Sequence, residues 1–191
     1  MTIDVIRERV AAHKPVTVAG TGYAHAAVAI VLREADEGAE FVVIRRSHRD
    51  DDPWSGHMAL PGGRQDPADR DLFMTAARET HEEVGIDLQQ YGELFGHLDE
   101  LRAIGRGRPL DLVITPFVCA VTAPVSLTPN HREVQQAFWV PLAALRRREA
   151  QGSFRHEING QPMEHQAFIY QGHTIWGLTY RILTQLLEVV A

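Results

Sequence analysis

Apolar residues recur at helical spacing in three stretches of the chain. Ile3, Ile6 and Val10 share one face of a segment over 3–13, which Thr2 is placed to cap and Pro15 ends. Phe73, Ala76, Ala77, Thr80 and Val84 form a second stripe. Asp66-Pro67-Ala68-Asp69 would open that helix and Gly85 would stop it. Thr179, Ile182, Leu183, Leu186, Leu187 and Val190 predict a last helix over about 177–189. Strands are expected at 26–32 and 41–46 around a polar turn, then near 92–103, 110–121 and 137–140, with 141–148 a short helix. Residues 48–53 form a charged loop, and 54–64, with Gly56, Pro61, Gly62 and Gly63, an ordered loop or short strand. Residues 151–164 show no period and read as a loop. Helices and strands mix without regular alternation, which predicts an α+β fold, a mixed sheet between helices in one domain over 1–191.

Composition narrows the partners. A chain of 191 residues can bury a sizeable core. Its 25 acidic against 19 basic residues leave a net charge of −6, so no nucleic-acid partner is expected. The single cysteine, Cys119, excludes an intramolecular disulfide and a multi-cysteine zinc site. In Ile-Thr-Pro-Phe-Val-Cys-Ala-Val it reads as a buried strand thiol. No apolar run reaches the roughly 18–20 residues of a membrane span. The N-terminus is charged where a signal peptide would be apolar, so a cytoplasmic protein without a membrane partner is expected.

The second helix concentrates charge. Glu79, Glu82 and Glu83, at i, i+3 and i+4, fall together on a face distinct from the apolar stripe. Like charges so placed repel by about 0.2–0.5 kcal/mol per pair on an exposed helix. Such a face is either well solvated or holds a cation. Three carboxylates completed by water suit Mg²⁺ or Mn²⁺. Arg78, four residues before Glu82, is placed to brace it through a bidentate pair. Pro61-Gly62-Gly63 precedes the helix, where glycines let backbone amides approach an anionic ligand closely. On the charges alone a solvated face is the simpler reading; the neighbourhood favours a site.

The stretch Gly62-Gly63-…-Arg78-Glu79-Thr80-His81-Glu82-Glu83-Val84-Gly85-Ile86 resembles the Nudix box: Gly, five residues, Glu, seven residues, then Arg-Glu-apolar-x-Glu-Glu-x-Gly-apolar. Thr80 stands at a usually apolar position. Gly63 lies one residue too far from Arg78, and Arg70 falls where Glu is expected, flanked by Asp69 and Asp71. Arg46, Ser47, Gly56, Pro61, Gly62, Gly63, Asp66 and Asp69 are similar to the extra motif of the coenzyme A pyrophosphatase branch, with Asp50 near a leucine position. The segment Ile175-Trp176-Gly177-Leu178-Thr179 is similar to the same branch, so the resemblance spans roughly 26–186.

The resemblance implies an αβα sandwich that hydrolyses a diphosphate linked to a further group, possessing Glu79, Glu82 and Glu83 as ligands of Mg²⁺ or Mn²⁺. Arg78 and Glu82 join the catalytic set. Glu133, in Asn130-His131-Arg132-Glu133-Val134, is the candidate general base, weighed evenly against an ordinary loop acid. Arg46, Ser47, Gly62 and Gly63 are candidate substrate contacts. Arg102, Arg106 and Arg108 form a basic segment, and Arg106 and Arg108 are placed as a clamp for the 3′-phosphate of coenzyme A. The favoured reaction splits coenzyme A or its thioesters into 3′,5′-ADP and a 4′-phosphopantetheine product. Alternatives are another small-molecule nucleotide-diphosphate substrate (an NDP-sugar, a dinucleotide or a nucleoside triphosphate) or a non-catalytic nucleotide-binding module. The fold often dimerises, which leaves a homodimer open. Elsewhere Arg146-Arg147-Arg148 reads as a solvated helix end, His57 and His81 lack zinc-ligand partners at the right spacing, and Trp54 and Trp176 either pack or stack on substrate.

Overall fold

The computed structural model describes residues 1–48, 55–105, 107–158 and 161–191; Asp50, Trp54 and Arg106 lie outside the described residues. Helix α1 (Ile3–Ala12) leads into strands β1 (Ala24–Arg33) and β2 (Glu40–Arg46), followed by the short β3 (Met58–Ala59) and β4 (Gly62–Arg64). Helix α2 (Leu72–Val84) and a single turn, α3 (Leu88–Tyr91), precede β5 (Gly92–His97), β6 (Leu101–Gly105), β7 (Arg108–Val121) and β8 (Val134–Pro141). Then come β9 (Gln151–Ile158), β10 (Gln161–Tyr170), β11 (His173–Trp176) and α4 (Gly177–Val189).

The main sheet runs β3-β2-β1-β7-β5, with β4 on β1, β6 on β7 and β8 on β2. β1 and β7 pair in parallel over Ala24↔Leu112 to Leu32↔Ala120 while the other pairs are antiparallel, so the sheet is mixed as expected. Alternation along the strands divides the core. Ile30, Leu32, Phe41, Val43 and Val118 pack with α1 and α4, whereas Ala29, Val31, Val42, Ile44 and Cys119 pack under Ala76, Ala77 and Val84 of α2. Helices thus cover both faces of the sheet. Cys119 is fully buried, and burial pushes its thiol up to about 12. Among the described residues no helix is long and apolar enough to cross a membrane.

Four expectations are corrected. Helix α2 starts at Leu72, not at Asp66, because Asp71 takes the cap position and accepts the Met74 N–H at 2.9 Å, a contact of about 1 kcal/mol. The span 92–103 is two strands, broken where Leu98 N–H bonds to Pro116 O and Glu100 N–H to Val16 O. The expected loop at 151–164 is instead β9 and the first part of β10, which with β11 make a second, three-stranded sheet. The short helix expected at 141–148 is a pair of 3₁₀ turns, Leu142–Arg146 and Arg148–Ala150.

Candidate functional site

Helix α2 lies across β1 and β4, and β4 is glycine at Gly62 and Gly63 for a steric reason. A Cβ on Gly62 would stand 2.3 Å from Ala27 O, and one on Gly63 would stand 2.4 Å from the Glu79 carboxylate. The close approach made by these glycines is therefore to the protein's own sheet and acids. The Gly62 N–H, expected to face an anionic substrate, donates to Glu83 Oε2 at 2.9 Å. The two positions differ in consequence. Gly63→Ala meets only the end of a side chain, so it is expected to leave stability within about 1 kcal/mol while pushing Glu79 aside and cutting activity about tenfold. Gly62→Ala meets backbone at φ +151° and should lower the Tm instead. Thermal melts and turnover of the two variants separate these outcomes.

The three helix carboxylates are not equivalent. Glu83 is 2% exposed, the Glu79 side chain 16% and the Glu82 side chain 50%. Burial pushes the Glu83 carboxyl up to about 8, helped by the charges of Glu79 and Glu133 and opposed by the Gly62 N–H and Arg46. Glu79 is also raised, mainly by burial, with Arg78 opposing and Glu82 and Glu133 adding to it. Glu133 thus joins the group although it is 50 residues further along the chain. Its turn is tied at both ends: Asn130 N–H donates to Glu83 O at 3.0 Å, and Ser47 N–H donates to Glu133 O at 2.8 Å.

Arg78 reaches Glu82 as the i, i+4 spacing predicts, but only at long range, Nη1 donating to both of its oxygens at 3.4 Å. Its fork closes on Asp69, with Nε to Oδ1 and Nη2 to Oδ2 both at 3.0 Å, and Nη1 donates to Glu79 Oε1 at 2.8 Å. Asp69 also accepts from Thr75 Oγ1 and from the Asp66 N–H, each at 2.9 Å. The Arg78 bonds hold its carboxyl well below the usual range. Asp69 therefore fills the acidic role that the box places one residue later. Arg70 at that place is 81% exposed and reaches only Asp71, the helix cap. Thr80, at the usually apolar position, is fully buried and donates its hydroxyl to Ala76 O at 2.7 Å. Its methyl packs while its polar atom is satisfied within the helix.

The candidate substrate contacts divide. Arg46 ends β2 on the α2 side, where its charge bears on Glu83. Ser47 Oγ donates to His131 O at 3.1 Å, which makes it a fastener of the Glu133 turn. Arg102 lies in β6, donating to Leu110 O at 2.8 Å and to Asp111 at 2.7 Å, and stacks over Tyr23, so it holds the β6–β7 hairpin together. Arg108 is exposed opposite Gly105 at the hairpin end. In register Gly63 sits beside Ala27 and Ala27 beside Thr115. Arg108 is seven residues from Thr115 along β7, about 23 Å at the usual rise; the sheet does not bring it to the carboxylates. Among the described residues no three His, Cys, Asp or Glu side chains already stand in a metal-holding arrangement. The donor chemistry nevertheless suits a hard divalent cation. Glu79, Glu83 and Glu133 offer only oxygen; Glu79 and Glu133 both raise Glu83, and Glu133 raises Glu79, a repulsion that a cation between them would relieve.

Residues 23–158 match the NUDIX domain. A mitochondrial coenzyme A diphosphatase of Homo sapiens, NUDT8, is 32% identical over 172 residues, covering 88% of this chain and 70% of that one. An uncharacterised Nudix hydrolase of Photorhabdus laumondii, NudL, is 35% identical, covering 71% of this chain and 70% of its own length. A 44% identical match to an uncharacterised Schizosaccharomyces pombe protein spans 54% of this chain but only 32% of that protein. Among solved structures, a MutT Nudix hydrolase from Burkholderia pseudomallei superposes with a TM-score of 0.53 over 86% of this chain and 98% of its own, at 17% identity. The chain belongs to the Nudix family. Its Nudix hydrolase relatives make it a pyrophosphohydrolase, similar to the coenzyme A pyrophosphatase branch.

Proposed function

We propose that the protein hydrolyses the diphosphate bond of coenzyme A or its thioesters, giving 3′,5′-ADP and the (acyl-)4′-phosphopantetheine. The observation that supports this reading is the 32% identity to a coenzyme A diphosphatase across 88% of the chain. Glu79 and Glu83 would hold Mg²⁺ or Mn²⁺, with Glu82 at the open edge of the group. A divalent ion bound there supplies charge neutralisation of the diphosphate and a lowered pKa for water. Arg78, locked by Asp69, keeps the Glu79 carboxylate oriented. Glu133 is the base in this scheme: it takes one proton from the attacking water as the new phosphorus–oxygen bond forms and the bridging bond breaks. Arg46 meets phosphate oxygens that arrive beside Glu83.

Purified protein assayed with Mg²⁺ and with Mn²⁺ tests the reading. Coenzyme A, acetyl-coenzyme A, dephospho-coenzyme A, ADP-ribose, a dinucleotide, an NDP-sugar and a nucleoside triphosphate form the panel, with products identified by mass. Formation of 3′,5′-ADP at the highest kcat/KM is expected. A clear preference for another substrate would overturn the coenzyme A assignment and leave the acidic site standing. No turnover with either metal would point to a binding module.

A further inference from the structure

The turn over 128–134 carries Glu133 to the acids of α2, and it is anchored at both ends. Its first end closes on the last turn of α2. Thr128 N–H donates to Val84 O at 2.8 Å and Asn130 N–H to Glu83 O at 3.0 Å. Both carbonyls are among the last four of the helix, which have no partner inside it. Glu83 therefore gives its carboxyl to the acid group and its carbonyl to the turn that bears Glu133. Within the turn, Asn130 O accepts the N–H of Glu133 at 2.9 Å and of Val134 at 2.8 Å. Asn130 Oδ1 accepts the Arg132 N–H at 3.3 Å.

The second end runs into β8 through a bulge. Arg45 pairs with Gln136 but Arg46 pairs with Val134, so Gln135 is an extra residue in β8. The bulge turns Val134 into the core under α2, fully buried in the cluster that holds Val84 and Ile44, and leaves Gln135 exposed. Ser47 extends this pairing one step beyond β2. Its N–H donates to Glu133 O at 2.8 Å and its Oγ to His131 O at 3.1 Å. One residue thus grips the turn on both sides of Arg132, with its backbone and with its side chain. Glu133 is itself exposed, so its carboxylate is placed by the backbone that carries it rather than by packing.

We propose that Ser47 is a positioning residue for Glu133, its hydroxyl holding the turn so that the carboxylate stays against the Glu79–Glu83 group. The inference rests on the proposed reading of Glu133 as the base. Ser47 was expected to meet substrate, and its hydrogen bonds argue otherwise. Both of its donors are committed within the turn, and a phosphate oxygen, itself an acceptor, finds neither of them on offer. A base that is displaced slightly loses turnover steeply, because proton transfer needs hydrogen-bond reach to the attacking water. Loss of the Ser47 hydroxyl should therefore appear in kcat and not in KM.

The test is a double-mutant cycle on the intact protein, assayed on the best substrate of the panel. Ser47→Ala is expected to cut kcat about tenfold and leave KM within about twofold. Ser47→Thr, which keeps the hydroxyl, should restore kcat. In the Glu133→Gln protein, Ser47→Ala should change the residual turnover by less than about twofold, because the group it places is already gone. Two readouts do not depend on turnover. Amide hydrogen exchange across 128–134 should quicken in Ser47→Ala, and calorimetric affinity for 3′,5′-ADP should stay within about twofold of the parent. A raised KM with kcat retained would make Ser47 a substrate contact and overturn the proposal, as would a parental kcat. A full tenfold loss on top of a slow Glu133→Gln protein would remove the positioning role and leave the base in place. Near-parental turnover of Glu133→Gln alone would remove the base, and the positioning role with it.

Discussion

Glu83→Gln should cost turnover about a hundredfold or more and, at the same time, give a metal-free protein that melts higher than the parent. Both halves come from one carboxyl. It is 2% exposed, it stands beside Glu79 and Glu133, and its proton is held up to about pH 8 against an ordinary 4.5. In the unfolded chain the same group ionises near 4.5, so the fold binds a proton that the unfolded state releases. This contribution to stability is complete below about 4.5 and is lost as pH rises toward 8. Glutamine keeps an oxygen to accept the Gly62 N–H and has no charge to bury. At about 1.4 kcal/mol per unit of pKa, a gain of about 2 kcal/mol at pH 7 is a modest share of the shift, or about 5 °C in Tm. Melts of parent and variant in chelator from pH 5 to 9 should converge at the acid end and separate with rising pH. Near-parental turnover in the variant would remove Glu83 from the ligand set. A Tm that does not rise at pH 7–8 would show that the carboxyl is not buried at a cost.

The parts of the fold read directly from the sequence are those with one apolar face. Ile3, Ile6 and Val10, the strands around Ile30 and Val43, and Ile182 to Leu186 all pack as their spacing requires. The β9–β10 hairpin was hidden because its residues from Gln161 to Glu164 are exposed and so carry no alternation. The sequence signal for it was Asn159-Gly160, which separates the two strands as a two-residue hairpin dipeptide would. Within the site, Glu79 and Glu83 were legible from helical spacing, but their unequal burial depends on how close β4 comes, which no spacing on α2 encodes. Glu133 reaches them through long-range bonds that no local spacing encodes, Asn130 N–H to Glu83 O and Ser47 N–H to Glu133 O among them. Pairing Arg78 with Glu82 followed i, i+4 logic, and a long-range partner outcompeted it. Asp69 presents two oxygens to the guanidinium fork at 3.0 Å, a geometry that the exposed Glu82 does not match.

That partner should matter as much to the protein as any ligand. Asp69→Ala is expected to lower stability by about 2 kcal/mol, or about 5 °C in Tm, and to cut kcat about tenfold or more. The Asp69 side chain is 7% exposed while Arg78 is 30% exposed, so removing the acid leaves a half-sheltered cation, takes the acceptor of the Asp66 N–H, and leaves Thr75 Oγ1 with only the long contact to Asp71 O at 3.5 Å. A partly exposed guanidinium can recover some solvation, which keeps the cost below that of breaking a fully buried pair. Activity falls because the same guanidinium holds Glu79 at 2.8 Å. Asp69→Asn retains one acceptor and should lie between the two. Since Arg70 points outward, placing glutamate there restores the motif on paper only: Arg70→Glu should leave the parent unchanged and fail to rescue Asp69→Ala. Rescue by Arg70→Glu would mean that the turn before α2 can slip by one residue, and that Asp69 holds Arg78 through sequence position rather than through the geometry of that turn.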